Sequence, residues 1–288
     1  MSGYSRQAYY KGQVLKEHQA FVGEVIIEKV KAYRKVQPRI GARKLLFMLS
    51  PFMHRHQLKI SRDRFFTLLR DNWLLIGRRR RGKPKTTDSS HWMRKYPDLA
   101  KDLSPVCAEG LWVSDITYVD LNEGHCYLSL VTDAYSRKIV GYHLSDNLYA
   151  RGPVAALEMA ISGSRDMTGL IHHSDRGSQY CCNDYIGILQ KHQIGISMTQ
   201  SGDPRENAIA ERVNGILKTE VLKQEVFADI ASAKVAVKEA VETYNYLRPH
   251  SSVSMLTPAL AHRAHGGLEQ SWKNYYKYKP ETSEIMDG

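Results

Sequence analysis

The sequence has little cysteine and none in its first third: Cys107, Cys126, Cys181 and Cys182 are all that 288 residues contain. Their placement shows no disulfide framework and leaves no finger-type zinc site before residue 107, because such sites need Cys and His pairs at fixed spacing. Long apolar runs are missing too. A stretch such as Val154 to Ile161 falls well short of the roughly 18 residues that a membrane helix needs, so no membrane span is expected. The opening Met1-Ser2-Gly3-Tyr4-Ser5-Arg6 lacks the apolar core of a secretory signal, and a reducing cytoplasmic setting is the expectation. No internal repeat or low-complexity tract is visible. With 42% hydrophobic residues the chain is rich enough in apolar side chains for one or two folded domains.

Acid is scarce where base is abundant. Residues 1 to 101 hold 24 Lys and Arg against 7 Asp and Glu, a net of +17, whereas the remainder holds 17 against 23, a net of −6; together they make the overall +11. A basic module is thus joined to an acidic one, and the first calls for a polyanionic partner. The composition changes at Arg78-Arg79-Arg80-Arg81-Gly82-Lys83-Pro84-Lys85, a charged segment without apolar periodicity that reads as a basic linker or, more plainly, as a solvated spacer.

In the basic module Val22, Val25, Ile26, Val30 and Tyr33 recur at helical spacing and Pro38 closes that helix. A second short helix follows Gly41 through Leu45, Leu46 and Leu49. Ser61 is placed to cap a third, which carries Phe65, Phe66, Leu68 and Leu69. The size is that of a helix-turn-helix, with Lys59, Arg62, Arg64 and Arg70 available to phosphates and base edges; the plain alternative is a three-helix bundle with basic decoration.

From Trp112 the rhythm shifts to short β-branched and aromatic segments. Strands are expected over Trp112 to Leu121, Cys126 to Asp133 and Lys138 to Leu144, followed by a helix over Val154 to Ile161, a strand at Leu170 to Ser174, a helix over Asn183 to Lys191 and a strand at Ile194 to Met198. Three hairpin strands followed by alternating helix and strand is the order of an α/β RNase-H-like core, a mixed five-stranded sheet with flanking helices. The chain divides as 1–77, a helical DNA-binding module; 78–101, the basic linker; 102–230, the catalytic core; and 231–288, a C-terminal helix and tail. That last helix, Lys234 to Tyr246, presents Val235, Val237, Ala240, Val241 and Tyr244. Trp272, Lys273, Tyr275, Tyr276, Lys277 and Tyr278 then interleave base with aromatics, which suits DNA stacking or packing on the core equally. Residues beyond Pro280 read as disordered.

Phosphoryl transfer needs charge stabilisation more than covalent help, and two divalent ions held by oxygen ligands supply it. Carboxylates in or at the ends of strands are therefore the residues of interest. Asp115 lies in mid-strand, where Asp is unfavourable unless paired, hydrogen-bonded or metal-bound; the ordinary alternative is an edge-strand Asp facing solvent. Asp175 follows an apolar strand at its carboxyl end, where open α/β sheets place ligands, and Gly177 permits the turn beyond. A Ser-His-Asp hydrolase built from His173, Ser174 and Asp175 is excluded by alternation, since neighbouring strand residues point to opposite faces. For a third carboxylate, Glu206, Glu211 and Glu220 compete. Ile209, Val213, Ile216, Leu217 and Val221 form an apolar helical face, and at roughly 100° per residue Glu211, Gly215 and Lys218 line up opposite to it. An ordinary solvated amphipathic helix has the same pattern.

The candidate carboxylates Asp115, Asp175 and Glu211 are separated by 59 and 35 residues. Around them stand Trp112-x-x-Asp115-Ile116-Thr117-Tyr118, His173-Ser174-Asp175-Arg176-Gly177-Ser178-Gln179-Tyr180, Ser197-Met198, Asn207-Ala208-x-x-Glu211, Leu217-Lys218-x-Glu220 and Tyr244-Asn245-x-x-Arg248-Pro249-His250. In this combination the sequence, from Ser5-Arg6-Gln7-Ala8-Tyr9-Tyr10 to Thr257-Pro258, resembles the DDE transposases with a retroviral-integrase-type core, specifically the OrfB product of two-frame bacterial insertion sequences, the group named after insertion sequence three. The resemblance implies that Asp115, Asp175 and Glu211 hold two Mg²⁺, with Mn²⁺ as substitute, and catalyse strand cleavage and strand transfer at element ends, with water and then a freed 3′-hydroxyl as nucleophile. It implies that Lys218 touches terminal nucleotides and that the module before residue 80 matches the family's small helix-turn-helix, whose Arg62 and Arg64, with Arg78, Arg79, Arg80 and Arg81 of the basic linker, are the DNA-binding candidates of the charge reading. The protein is expected to work as a homo-oligomer on paired DNA ends in the bacterial cytoplasm, in some members of the family after fusion to an upstream-frame product. Glu206 and Arg212 depart from the family's commoner Asp and Ser. A regulator without chemistry and a structure-selective nuclease of the same fold are the rival readings.

Overall fold

A computed structural model of the chain describes residues 6–77, 91–200, 204–222 and 225–270. Its N-terminal module is three helices, α1 (Arg6–Val36), α2 (Ala42–Arg55) and α3 (Arg62–Asp71). Val22, Ile26 and Val30 recur at the helical period, so they fall on one side of α1 and meet Leu45 and Leu49 of α2 and Phe65 and Leu69 of α3 in a single core. Ser61 caps α3, its hydroxyl accepting from the Arg64 N–H at 3.3 Å. The first half of α1 stands clear of that core, with Tyr9, Tyr10, Val14 and Phe21 exposed.

The rest is built on one five-stranded sheet. Strands β1 (Leu111–Asp120), β2 (His125–Asp133) and β3 (Ile139–Ser145) form an antiparallel meander; β4 (Ile171–Ser174) and β5 (Gly195–Met198) follow as parallel strands, giving the order β3-β2-β1-β4-β5. This is the RNase-H-like arrangement. Helix α4 (Arg151–Gly163), the short α5 (Ser178–Cys181) and α6 (Asn183–Lys191) cover one face, where Trp112, Leu157, Tyr185 and Leu189 are buried together. Helices α7 (Ala208–Ile216) and α8 (Ile230–Glu242) cover the other over Val119, Leu128, Leu130 and Leu144. Helix α4 lies so close to β3 that a Cβ at Gly141 would run into the Ala156 carbonyl and stand 2.9 Å from Ala160 N. Only a glycine permits that approach. A short α9 (Pro258–Ala261) follows.

Two helices end otherwise than their periodicity predicts. The pattern after Asn207 suggests one α-helix through Val221, but α7 stops at Ile216 and Leu217–Val221 form a π turn; Thr243–Leu247 form another after α8. Such turns let one side chain be re-aimed without breaking the element. Val235, expected on the apolar face of α8, is 61% exposed, while Val237, Ala240, Val241 and Tyr244 are buried as expected.

The first π turn also joins the two parts. Glu220 accepts from Arg248 Nε at 2.9 Å and Arg248 Nη2 at 3.0 Å, and Lys44 of α2 stands 3.7 Å from the same carboxylate. Beside it the Arg39 N–H donates to the Glu220 carbonyl at 3.2 Å, and Gln37 Nε2 to the Leu247 carbonyl at 3.2 Å. Among the described residues no helix is long and apolar enough to cross a membrane.

Candidate active site

Parallel pairing brings the two aspartates together. Val113 of β1 pairs with His173 of β4, and Asp175 directly follows the end of β4, which brings it close enough to Asp115 of β1 for the two charges to interact. The consequence is electrostatic. Burial, and then repulsion from Asp175, pushes the Asp115 carboxyl up to about 7, with a smaller push from Glu211; hydrogen bonds from Asn214 and from the Ile116 N–H pull the other way. Those bonds are 2.7 Å from Asn214 Nδ2 to Oδ2 and 2.9 Å from Ile116 N to Oδ1. Asp175 accepts from the Gly177 N–H at 2.9 Å, and a Cβ at Gly177 would stand 3.0 Å from that same Asp175 oxygen, which is why a glycine follows here.

Helix α7 lies against β1 and carries Glu211, the expected third carboxylate. Asn207, Glu211, Asn214 and Lys218 follow at intervals of four, three and four, one row along the helix. Asn207 Nδ2 donates to the Ser114 carbonyl at 2.9 Å, Asn214 holds Asp115, and Lys218 Nζ lies 3.4 Å from Thr117 Oγ1 and 3.5 Å from the centre of the Tyr118 ring. Glu211 is in the first turn of α7 with its side chain exposed. The three glutamates have different surroundings. Glu220 is held by Arg248 and Lys44, and although burial works against its charge, Arg248 keeps its pKa below the ordinary value. Glu206 Oε2 accepts from the Gln200 N–H at 2.6 Å. Glu211 adds its charge, as the smallest contribution, to those that raise the Asp115 carboxyl.

The histidines of β4 divide as alternation demands. His172 Nε2 meets Ser114 Oγ at 2.7 Å and Tyr185 OH at 2.9 Å on the α6 face, and burial drives its pKa to about 3. On the other face His173 Nδ1 meets Ser197 Oγ at 2.8 Å, while Ser197 Oγ accepts from the Leu99 N–H at 2.8 Å. Ser197 thereby ties the incoming segment to the strand that ends in Asp175. Neither histidine forms a triad with Ser174, in line with the sequence argument.

Asn214 and Asn207 are the site residues that ionisable-group reasoning misses, and the signal for them is their place in the Glu211 row. Of the basic candidates, Arg62 is exposed and bonded to Asp63 at 3.0 Å, and Arg64 is exposed on α3 facing a groove against α1. Arg78, Arg79, Arg80 and Arg81 lie outside the described residues, as does the aromatic cluster from Trp272 to Tyr278.

The donor set fits a divalent ion: carboxylates are hard oxygen ligands, and the Asp115 carboxyl, raised first by burial and then by Asp175, is one whose charged form a cation would favour. As placed, among the described residues, no three Asp, Glu, His or Cys side chains stand ready-made around one ion. The two aspartates are set by paired strands, and Glu211 hangs on the first turn of α7.

A mixed five-stranded sheet with Asp115 on its central strand, Asp175 just after the neighbouring parallel strand and Glu211 on a helix across them is the arrangement of an integrase-type core. Two integrase core domain models match, over residues 105–204 and 192–258. The 31 kDa protein of insertion element IS600 from Shigella sonnei is 32% identical over 264 residues, covering 89% of this chain and 94% of that protein. The putative transposase of IS986/IS6110 from Mycobacterium tuberculosis is 32% identical over 218 residues, 72% of this chain and 76% of that one. Among solved structures, the magnesium complex of the HTLV-2 integrase catalytic core matches with a TM-score of 0.44 and 18% identity, over 56% of this chain and 100% of that one. The chain belongs to the IS3 family of insertion-sequence transposases, DDE enzymes of polynucleotidyl transfer built on an integrase core.

Proposed function

We propose that Asp115, Asp175 and Glu211 are the catalytic carboxylates of this transposase, that they hold two Mg²⁺, or Mn²⁺ in its place, and that the reaction is strand cleavage at element ends followed by strand transfer. The observation that supports this reading is that Asp175, just beyond the end of β4, lies close enough to Asp115 of the neighbouring parallel strand β1 to raise its pKa, with a smaller push from Glu211 on α7. When bound, the ions supply charge stabilisation to the transferring phosphoryl group and lower the pKa of the attacking hydroxyl. The protein supplies position. Asn214 and the Ile116 N–H fix both oxygens of Asp115, and the Gly177 N–H fixes one of Asp175, so each presents its remaining lone pairs in a set direction. Lys218, four residues beyond Asn214, stands over Tyr118 where it meets a terminal phosphate with charge and the neighbouring base with an aromatic edge.

The helical module supplies sequence-independent grip on DNA through its net positive charge, with Arg62 and Arg64 at the start of α3 and the run Arg78 to Arg81 beyond. Two copies on paired ends give the working assembly. The test is a labelled element-end duplex incubated with Mg²⁺ or Mn²⁺ and the wild-type chain, beside Glu211→Gln. Joined products from wild type alone support strand transfer through Glu211. Cutting without joining points to a nuclease of the same fold, and binding without either overturns the catalytic reading.

A further inference from the structure

Helix α3 ends in a way that displays an indole. Its cap is Asn72; the Trp73 N–H donates to the Arg70 carbonyl at 3.0 Å and the Leu74 N–H to the Leu69 carbonyl at 2.7 Å, and Leu74 turns back onto the core that holds Leu69. That pair of bonds is the Schellman closure, which puts the residue after the cap in the left-handed region, where glycine is ordinarily found. Trp73 stands there at φ 57°. The closures of α2 and α6 use the same backbone, with Gln57 at φ 53° and Gln193 at φ 56°. Those two carry amides that water solvates; Trp73 carries a large apolar ring system and is 95% exposed.

Neither backbone nor packing explains the tryptophan. A left-handed φ favours a residue without Cβ, and burial contributes nothing to a side chain that touches so little protein. Its neighbours hold it in place all the same. Leu74 is anchored in the core, and Arg39 Nη2 donates to the Gly77 carbonyl at 3.4 Å, which ties the segment beyond it to the helical module. The indole is therefore presented on a fixed backbone. The charge around it selects the partner: from Arg64 to Arg81 the chain holds six arginines and one acid, Asp71, and Arg70, one turn before Trp73, is exposed. An aromatic face set among guanidinium groups fits a nucleic-acid strand, whose bases and sugars offer flat or apolar surface between phosphates. A second copy of the chain, carrying the same positive patch, would be repelled here.

We propose that Trp73 is a DNA-contact residue of the helical module, its indole lying on a base or sugar face while Arg70 meets a flanking phosphate. This adds a stacking contact to the charge-based grip proposed above and rests on that module binding DNA.

The experiment takes the full chain as wild type, Trp73→Gly, Trp73→Phe and Arg70→Gln, and measures affinity for a labelled mixed-sequence duplex and for its single strand against salt, with thermal unfolding and sedimentation followed in the absence of DNA. Because glycine suits the left-handed backbone, Trp73→Gly is expected to keep the unfolding midpoint or raise it by up to about 2 °C, while weakening DNA binding about tenfold. The indole carries no charge, so the slope of log affinity against log salt is expected to stay as in wild type, whereas Arg70→Gln is expected to lower it by about one. Trp73→Phe is expected to recover most of the lost affinity. Loss on both forms of DNA assigns the indole to a base face, and loss on the duplex alone to a groove edge. A lowered midpoint in Trp73→Gly overturns the proposal by showing that the indole packs on the protein, and a lower sedimenting mass overturns it by showing that the indole joins two copies. DNA binding by wild type that Trp73→Gly matches overturns this contact alone. A wild-type chain that binds neither form of DNA overturns the module's role along with it.

Discussion

Asn214 donates from Nδ2 to Asp115 Oδ2 at 2.7 Å, from the helix that carries Glu211 to the strand that carries Asp115. That single bond ties the third carboxylate's helix to the first carboxylate, and it favours the charged form of an acid whose neighbours oppose ionisation.

Replacing Asn214 by Ala removes a donor to a charged acceptor, a loss of about 1.5–3 kcal/mol. Single-turnover strand cleavage is expected to slow roughly ten- to hundredfold. Without the amide the Asp115 carboxyl rises further above its ordinary value, so the pH–rate profile moves to higher pH. An unchanged profile would remove Asn214 from any positioning role.

The Glu220–Arg248 pair is bidentate, with Arg248 only 1% exposed. Arg248→Ala leaves the half-buried Glu220 carboxylate with Lys44 alone and is expected to cost about 2–4 kcal/mol in urea unfolding. Lys44→Ala removes the longer contact, 3.7 Å, and is expected to cost less than about 1 kcal/mol. Equal effects would show that the hub works through α2 rather than through Arg248.

His262 joins the segment after α9 to the β2–β3 turn, with Nε2 at 3.1 Å from Glu109 and Nδ1 at 3.0 Å from Ser136 Oγ, beside the fully buried Asp133. Burial opposes its charge, but the bonds to Asp133 and Glu109 outweigh it and hold its pKa above 6.5. A raised folded-state pKa means that this contribution is complete below about pH 6.5 and is lost as pH rises through the raised value. Wild type is therefore expected to lose stability relative to His262→Gln over that window, and parallel curves would contradict the assignment.

Gly141→Ala places a methyl group against the Ala156 carbonyl and Ala160 of α4. The expected cost is about 1–3 kcal/mol by overpacking, seen as a lower denaturation midpoint with the m-value kept.

How far the sequence carries this account differs by residue. The meander was legible because β-branched and aromatic segments were separated by clear turns, and α6 because its apolar spacing and flanking residues agree. Asp115 and Asp175 were legible as carboxylates in unusual places, but their meeting followed only from the family resemblance, since the neighbour of a parallel strand is decided by a crossover that no local pattern encodes. Asn214 escaped notice because an amide looks like surface decoration until the strand it faces is known. The run through Val221 misread the end of α7, because a constant angular step does not anticipate a π turn. Val235 misled for a simpler reason: at roughly 100° per residue it falls on the side of α8 opposite Val237, Ala240, Val241 and Tyr244.

The most direct test compares Asp115→Asn, Asp175→Asn and Glu211→Gln in single-turnover cleavage of element-end DNA, with the affinity of each for the same DNA measured alongside. Each substitution keeps the shape and removes one ligand charge. The account predicts loss of cleavage in all three with DNA affinity retained. Full cleavage by any one of them would contradict it.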